Sequence, residues 1–262
     1  MRVLVCIKQV PDTTRVKIDE KTGSLLRDGV DSKTNVYDLH ALEAALTLKA
    51  ARDCHITALT MGPPQAEAAI HEALALGADH GCLLSDSAFP GADVLATSYA
   101  LAQAVRKLGD FDLILCGKQT TDGDTAQVGP ALAEQLGLPH AAWVTEISDI
   151  AADAVTVAQD MGACTQRVRL PLPCLLTVEK GPGTPRLPSL RRKRALADAA
   201  MARLTLADLP DSRPDRYGAD GSPTRVERIF PPPASEGNIL LEGDADTLTN
   251  ALLDTLTARK LI

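Results

Sequence analysis

Apolar runs of strand length alternate with segments of helical period through the first two-thirds of the chain, and this alternation restricts the fold most. Residues 2–7, 55–60, 81–84 and 111–116 read as strands. Residues 35–50 read as a helix with Leu39, Leu42, Leu46 and Ala50 on one face and Asn35 as its N-cap. Further helices are expected over 65–76, 91–108 and 125–136. Strands separated by helices need crossovers, and crossovers produce a parallel sheet covered on both faces. The expected class is therefore α/β. Residues 15–26 alternate around Lys21-Thr-Gly23 and read as an inserted β-hairpin. Two short strands are expected at 154–157 and 166–170, then a further one at 175–179.

One unit of the alternation carries chemistry. In Leu113-Ile-Leu-Cys-Gly-Lys-Gln-Thr-Thr-Asp-Gly-Asp-Thr-Ala-Gln-Val128 a buried strand passes through small polar residues into a helix with Val128, Leu132 and Leu136 on one face. Thr121, Asp122, Asp124 and Thr125 favour turns and N-caps. A helix beginning just beyond a strand's carboxyl end presents free N–H groups and a positive dipole end, which suits a phosphate. The same pattern also serves as an ordinary capped turn. The other strand ends add Lys8-Gln9, Met61-Gly62 and Gly117-Lys-Gln119, and in parallel sheets ligands bind beyond such ends.

Composition narrows the function. Aromatic residues make up 3% of the chain and the formal net charge is −7, which disfavours base-stacking platforms and nucleic-acid or anionic-membrane binding. No apolar run reaches the roughly 18–20 residues of a membrane span. The six cysteines form no Cys-x-x-Cys pair, so a metal site is not expected, and the pattern suits a reducing cytoplasm. The scattered His40, His55, His71, His80 and His140 suggest no catalytic constellation. After Lys180 the texture changes to a Pro/Gly-rich stretch, the basic run Arg191-Arg-Lys-Arg194, an alanine-rich helical stretch and a loop over 210–233. Residues 244–261 form an amphipathic end with Leu248, Leu252, Leu256 and Leu261. These features suggest a nucleotide-binding domain over 1–180 and an arm over 181–262 that wraps another chain.

Six segments in order give a specific resemblance. They are Val3-Leu-Val-Cys-Ile-Lys-Gln-Val-Pro-Asp12, Asn35 with Leu42-Glu-Ala-Ala45, Leu59-Thr-Met-Gly-Pro-Pro-Gln65, Ala73-Leu-Ala-Leu-Gly-Ala-Asp79, Gly117-Lys-Gln119 with Asp122-Gly-Asp-Thr-Ala-Gln-Val-Gly-Pro130, and Gly221-Ser-Pro-Thr-Arg-Val-Glu-Arg-Ile-Phe230. Along nearly its whole length the chain resembles the beta subunit of electron transfer flavoproteins. The resemblance implies a Rossmann-like sheet, a heterodimer with an alpha subunit that holds its own FAD, and electron transfer between a reduced donor and a downstream acceptor. Donor and acceptor would be NADH or flavoproteins.

The resemblance further implies an adenine nucleotide in the beta subunit. This is AMP in the housekeeping branch. In a second branch it is FAD, which takes a hydride from NADH and splits the electron pair, a process called bifurcation. The residues permit either ligand; the loop over 122–130 resembles the FAD-binding branch, linked to nitrogen fixation and anaerobic acyl-CoA reduction. The implied nucleotide site comprises Cys6, Ile7 and Lys8; Asn35 and Asp38; Met61 and Gly62; Gly117, Lys118 and Gln119; and Asp122, Gly123, Asp124, Thr125, Ala126, Gln127 and Val128. Gly123 is expected to admit a pyrophosphate close to the backbone. No turnover independent of the complex is expected. A non-redox nucleotide-binding module is the alternative of another class, though it leaves the Pro-rich arm without a use. One segment departs from the family: where partner recognition uses Asn-Glu-Pro-Arg, this chain has Gly181-Pro-Gly-Thr-Pro-Arg186. Docking on the usual acyl-CoA dehydrogenases is therefore not implied.

Overall fold

A computed structural model describes residues 1–12, 31–181, 183–195, 201–227 and 240–262, with the backbone of 17–18 and 25–26. The first strand, β1 (Arg2–Cys6), is followed by the short β2 (Gln9–Pro11), β3 (Lys17–Ile18), β4 (Leu25–Leu26) and β5 (Ser32–Thr34). Then come α1 (Val36–Ala51), β6 (His55–Met61), α2 (Glu67–Leu76), β7 (His80–Leu84), α3 (Val94–Leu108), β8 (Leu113–Gly117) and α4 (Val128–Leu136). The chain continues through β9 (His140–Ile150), β10 (Ala154–Asp160), β11 (Thr165–Pro171), β12 (Cys174–Val178), α5 (Leu190–Arg194) and β13 (Met201–Leu204).

Nine strands make the main sheet in the order β11-β10-β9-β12-β8-β1-β6-β7-β13. Neighbours from β9 to β13 run parallel, while β10 is antiparallel to both β9 and β11. The expected α/β, Rossmann-like fold is thus present. Side-chain alternation along β1 divides the core: Val3 and Val5 pack with Leu42, Leu46 and Ile70 on one face. Leu4 packs with Leu101, Val105 and Leu132 on the other. Burying each such aliphatic side chain contributes about 1.5–3 kcal/mol. β3 and β4 pair antiparallel, as the hairpin reading requires, while the Lys21-Thr-Gly23 turn lies outside the described residues.

Several elements differ from the sequence reading. The eleven-residue β9 was not anticipated, because its polar face interrupts any apolar run. Helix α4 starts at Val128, so residues 125–127 belong to the loop. The basic run itself forms α5, and β13 pairs with β7; the expected alanine-rich helical stretch falls largely on residues 196–200, which lie outside the described residues. The compact unit runs from Met1 to Glu227, past Lys180, because β13 belongs to the sheet. A second unit, Arg228–Ile262, contains α6 (Ala245–Ala258), capped by the Asp244 carboxylate accepting from the Thr247 N–H at 2.9 Å. Leu248, Leu252 and Leu256 follow one stripe of that helix. Among the described residues no helix is long and apolar enough to cross a membrane.

Candidate functional site

The chain reverses direction across the sheet between β1 and β8. From β1 it winds outward through β6 and β7, then returns to β8 on the other side. This is the switch point at which open α/β sheets leave a crevice beyond their carboxyl ends. Cys6 and Cys116 face each other in register there, and Gly117 ends β8.

The start of α1 fastens the two sides of that crevice. Asp38 is 5% exposed; its carboxylate accepts the Lys8 N–H at 2.8 Å and the Gly117 N–H at 3.2 Å. A Cβ on residue 117 would lie 2.3 Å from Asp38 Oδ1, so only glycine allows this approach. Asn35 is fully buried and stands, as expected, at the N-cap position of α1, but its side chain makes no cap bond. Instead, its amide donates to the Gln119 carbonyl at 2.8 Å, and its oxygen accepts the Thr121 N–H at 3.3 Å. Asn35 also donates its own N–H to the Lys8 carbonyl at 2.9 Å. Burial pushes the Asp38 carboxyl up to about 7 against the opposing pull of Asn35, the two amides and the Lys8 charge.

The loop beyond β8 is open to solvent through residues 121–125. Asp124 (φ 51°) and Ala126 (φ 55°) both adopt the left-handed conformation. Left-handed residues alternating with right-handed ones can turn successive N–H groups toward a common side, the arrangement of an anion nest; here the Asp124 N–H is donated to the Thr120 carbonyl at 2.9 Å. Gly123 was expected to supply the unusual backbone, yet its φ lies outside the left-handed region and a Cβ there meets only Thr120 Oγ1 at 3.5 Å. The N-terminus of α4 carries no side-chain cap. Two carboxylates that would repel an anion are tied back. Asp122 accepts Lys8 Nζ at 2.8 Å on both oxygens, and Asp124 accepts the Gln119 side-chain amide. The Lys8 ammonium and neighbouring hydrogen bonds hold Asp122 below the usual carboxylate range despite partial burial.

The remaining residues of the expected site scatter around this centre. The Ile7 side chain is buried in the core, and its N–H donates to the Leu59 carbonyl at 2.8 Å. Met61 ends β6, and Gly62 donates to the Leu84 carbonyl at 3.1 Å, one strand away from the crevice. Lys118 turns toward β12, pairing with Glu179 at 2.5 Å and lying 3.9 Å from the centre of the Trp143 ring. Trp143 and Glu179 were not singled out from sequence. Trp143 occupies the left-handed region (φ 56°) at an irregularity of β9, and its N–H donates to Thr177 Oγ1 at 2.9 Å. The β-branched and aromatic character of Trp143-Val-Thr145 was the available signal for that strand.

Comparison with known proteins accords with this geometry. The family profile described as "Electron transfer flavoprotein domain" matches residues 22–209. The chain belongs to the electron transfer flavoprotein family. It is 42% identical to the electron transfer flavoprotein subunit beta of Megasphaera elsdenii, with 100% of each chain covered. It is also 42% identical to caffeyl-CoA reductase-Etf complex subunit CarD of Acetobacterium woodii, over 99% of this chain and 97% of that one. Protein FixA of Bradyrhizobium diazoefficiens is 39% identical over 98% of this chain and 91% of its own. In this electron transfer flavoprotein chain the segment 181–186, which departs from the expected recognition motif, ends in Pro185 and Arg186. The Arg186 guanidinium grips Glu43 of α1 at 2.7 Å, and its N–H donates to the same carboxylate at 3.0 Å.

Proposed function

We propose that this chain is the beta subunit of a cytoplasmic electron transfer flavoprotein. It would form a heterodimer with an FAD-bearing alpha subunit and carry electrons from NADH or a flavoprotein dehydrogenase to a downstream acceptor. FAD is the proposed nucleotide of the switch-point crevice. The observation that carries this reading is the left-handed pair Asp124 and Ala126 beside the uncapped α4 N-terminus, in a chain similar throughout to FixA and to a caffeyl-CoA reductase-Etf subunit.

The donor chemistry fits a pyrophosphate. The Asp124 N–H is donated to the Thr120 carbonyl at 2.9 Å, so the backbone N–H groups of 125–128 would hold it, with the Thr125 and Gln127 side chains as additional donors, while Lys8 and Gln119 keep the nearby carboxylates occupied. The N–H groups that clamp the crevice are already paired, so the adenosine end would meet the edges around Cys6 and Met61. When bound, FAD supplies hydride acceptance from NADH and one-electron transfer, while the chain binds and orients it. The wrapping role proposed for the C-terminal third would fall to α6, whose leucine stripe suits an apolar partner surface.

The test is the nucleotide content of the purified alpha–beta complex, followed by anaerobic addition of NADH. Two flavins per heterodimer and bleaching at stoichiometric enzyme are expected. One flavin with one AMP and no bleaching would return the chain to the structural-AMP branch. No nucleotide in this subunit would remove the crevice as a cofactor site.

A further inference from the structure

We propose that Asp38 is a positioning residue of the nucleotide site: its carboxylate clamps the chain just after β1 to the last residue of β8, setting the crevice without touching the ligand. This inference rests on the proposed nucleotide reading and assigns to one side chain the task of holding the site's shape.

The geometry makes the assignment. The two amides that Asp38 accepts, Lys8 and Gly117, lie on opposite walls of the switch point. Both carboxylate oxygens are used, and the side chain is almost wholly buried, so neither oxygen is free to meet a nucleotide. Asn35 ties the same walls one layer further out, through Lys8 on one side and Gln119 and Thr121 on the other. The clamp is also continuous with the phosphate loop, because Lys8 carries its ammonium to Asp122. Ionised, the carboxylate accepts both amides in charge-assisted bonds; once protonated, one oxygen becomes a hydroxyl that accepts more weakly and must also place its own hydrogen, so the clamp loosens.

The groups facing Asp38 are few. Lys8 comes from the segment after β1, Cys116 and Gly117 from β8, and Asn35 from its own helix terminus. The hydrogen bond with the Cys6 thiol, then burial, push the Cys116 thiol well above its ordinary value, leaving it neutral near pH 7. Lys8 is therefore the charged neighbour, and its ammonium is already paired with Asp122. The clamp thus changes charge close to neutral pH, and nucleotide affinity should follow it.

Binding is measured on the full chain in complex with its co-expressed partner. The probes are FAD and ADP-ribose, whose disubstituted pyrophosphates hold constant charge between pH 6 and 8. If ligand requires the ionised clamp, a group titrating near 7 weakens binding about tenfold from pH 8 to pH 6. Asp38→Asn should bind about tenfold more weakly at pH 8 and lose the slope. The amide resonances of Lys8 and Gly117 in the wild-type complex should shift together near pH 7, a readout that survives even if the variant fails to fold. A pH-independent Kd for both probes, an unchanged slope in Asp38→Asn, or amides that do not titrate would each overturn the clamp. Retention of the tenfold slope for ADP-ribose while FAD fails to bind would support the clamp and overturn only the FAD reading. Binding of neither probe would overturn both.

Discussion

The clamp around Asp38 and the loop over 118–127 share one edge of the sheet but are built in opposite ways. In the clamp, Asn35 and Asp38 are buried, and their side chains are consumed by backbone groups of this same chain. In the loop, residues 121–125 are exposed, and Asp124 and Ala126 sit in a backbone region that costs an L-residue about 1–2 kcal/mol. Strain of this kind persists where surrounding structure enforces it, and it concentrates at ligand sites. On the proposed nucleotide reading, the difference separates scaffold from contact: the buried polar residues would position, and the exposed backbone would be left to bind. Residues that sequence reasoning grouped into one site therefore divide into two roles.

The comparison breaks most severely at Gly117. Replacement by valine would place a Cβ 2.3 Å from Asp38 Oδ1 and 2.7 Å from the Asp38 backbone nitrogen. Overpacking and the loss of a buried hydrogen bond together should cost about 3 kcal/mol, read as a lower urea midpoint. A midpoint equal to wild type would show that the crevice walls yield freely and that no clamp exists.

The next effect is in pH. Asp38 is raised to about 7, so between pH 4 and 7 the folded state holds a proton that the unfolded chain has released. Stability contributed by this group therefore falls as pH rises through that window and levels off above it. Glu43, Asp79, Asp93 and Asp122 behave oppositely, because hydrogen bonds and paired cations hold them low; their contribution is lost only as pH falls below the usual carboxylate range. Subtracting the Asp38→Asn stability profile from wild type between pH 5 and 7.5 isolates the clamp. A flat difference would show that Asp38 does not titrate there.

A smaller change is expected at the base of the segment over 183–187. Glu43→Gln removes the charge partner of Arg186, whose side chain is 43% exposed. Water would take over much of that interaction, so the global cost should be about 1 kcal/mol or less. Locally, amide exchange over 183–187 should accelerate, since the Arg186 N–H loses its charged acceptor. Unchanged exchange would mean that the segment is held by other contacts, such as His40 Nδ1 with the Gly183 carbonyl at 3.1 Å.

The alternation of apolar runs made most of the sheet legible, because buried parallel strands write themselves as continuous Val, Leu and Ile. Strand β9 escaped because it projects beyond β12 with polar side chains on one face, and β13 because alanine-rich sequence favours helix until an edge strand is there to pair with. At the candidate site, the resemblance named strand ends that the sheet places side by side at β1 and β8, and the loop's position was readable from its small polar residues. The division of labour was not. An aspartate at the start of a helix looks alike whether it faces a ligand or two backbone amides, and only the return of β8 beside β1 decides between them.

The smallest expected effect on stability tests the contact half of the comparison. Gly123 lies in the exposed loop, outside the left-handed region, and a Cβ there finds only Thr120 Oγ1 at 3.5 Å, an ordinary contact. Gly123→Ala should therefore change folding stability by no more than about 0.5 kcal/mol, as surface substitutions away from special features do. Valine at the same position adds bulk on the side from which a pyrophosphate would approach the nest, so it should lower nucleotide content while keeping the complex folded. The two readings are taken on one sample, as a urea midpoint and as nucleotide released on denaturation. Full nucleotide content in Gly123→Val would move the phosphate away from this turn and leave the left-handed pair at Asp124 and Ala126 as a feature of the loop alone. A lowered midpoint in Gly123→Ala would instead show that the loop is part of the scaffold, erasing the distinction between an edge that positions and an edge that binds.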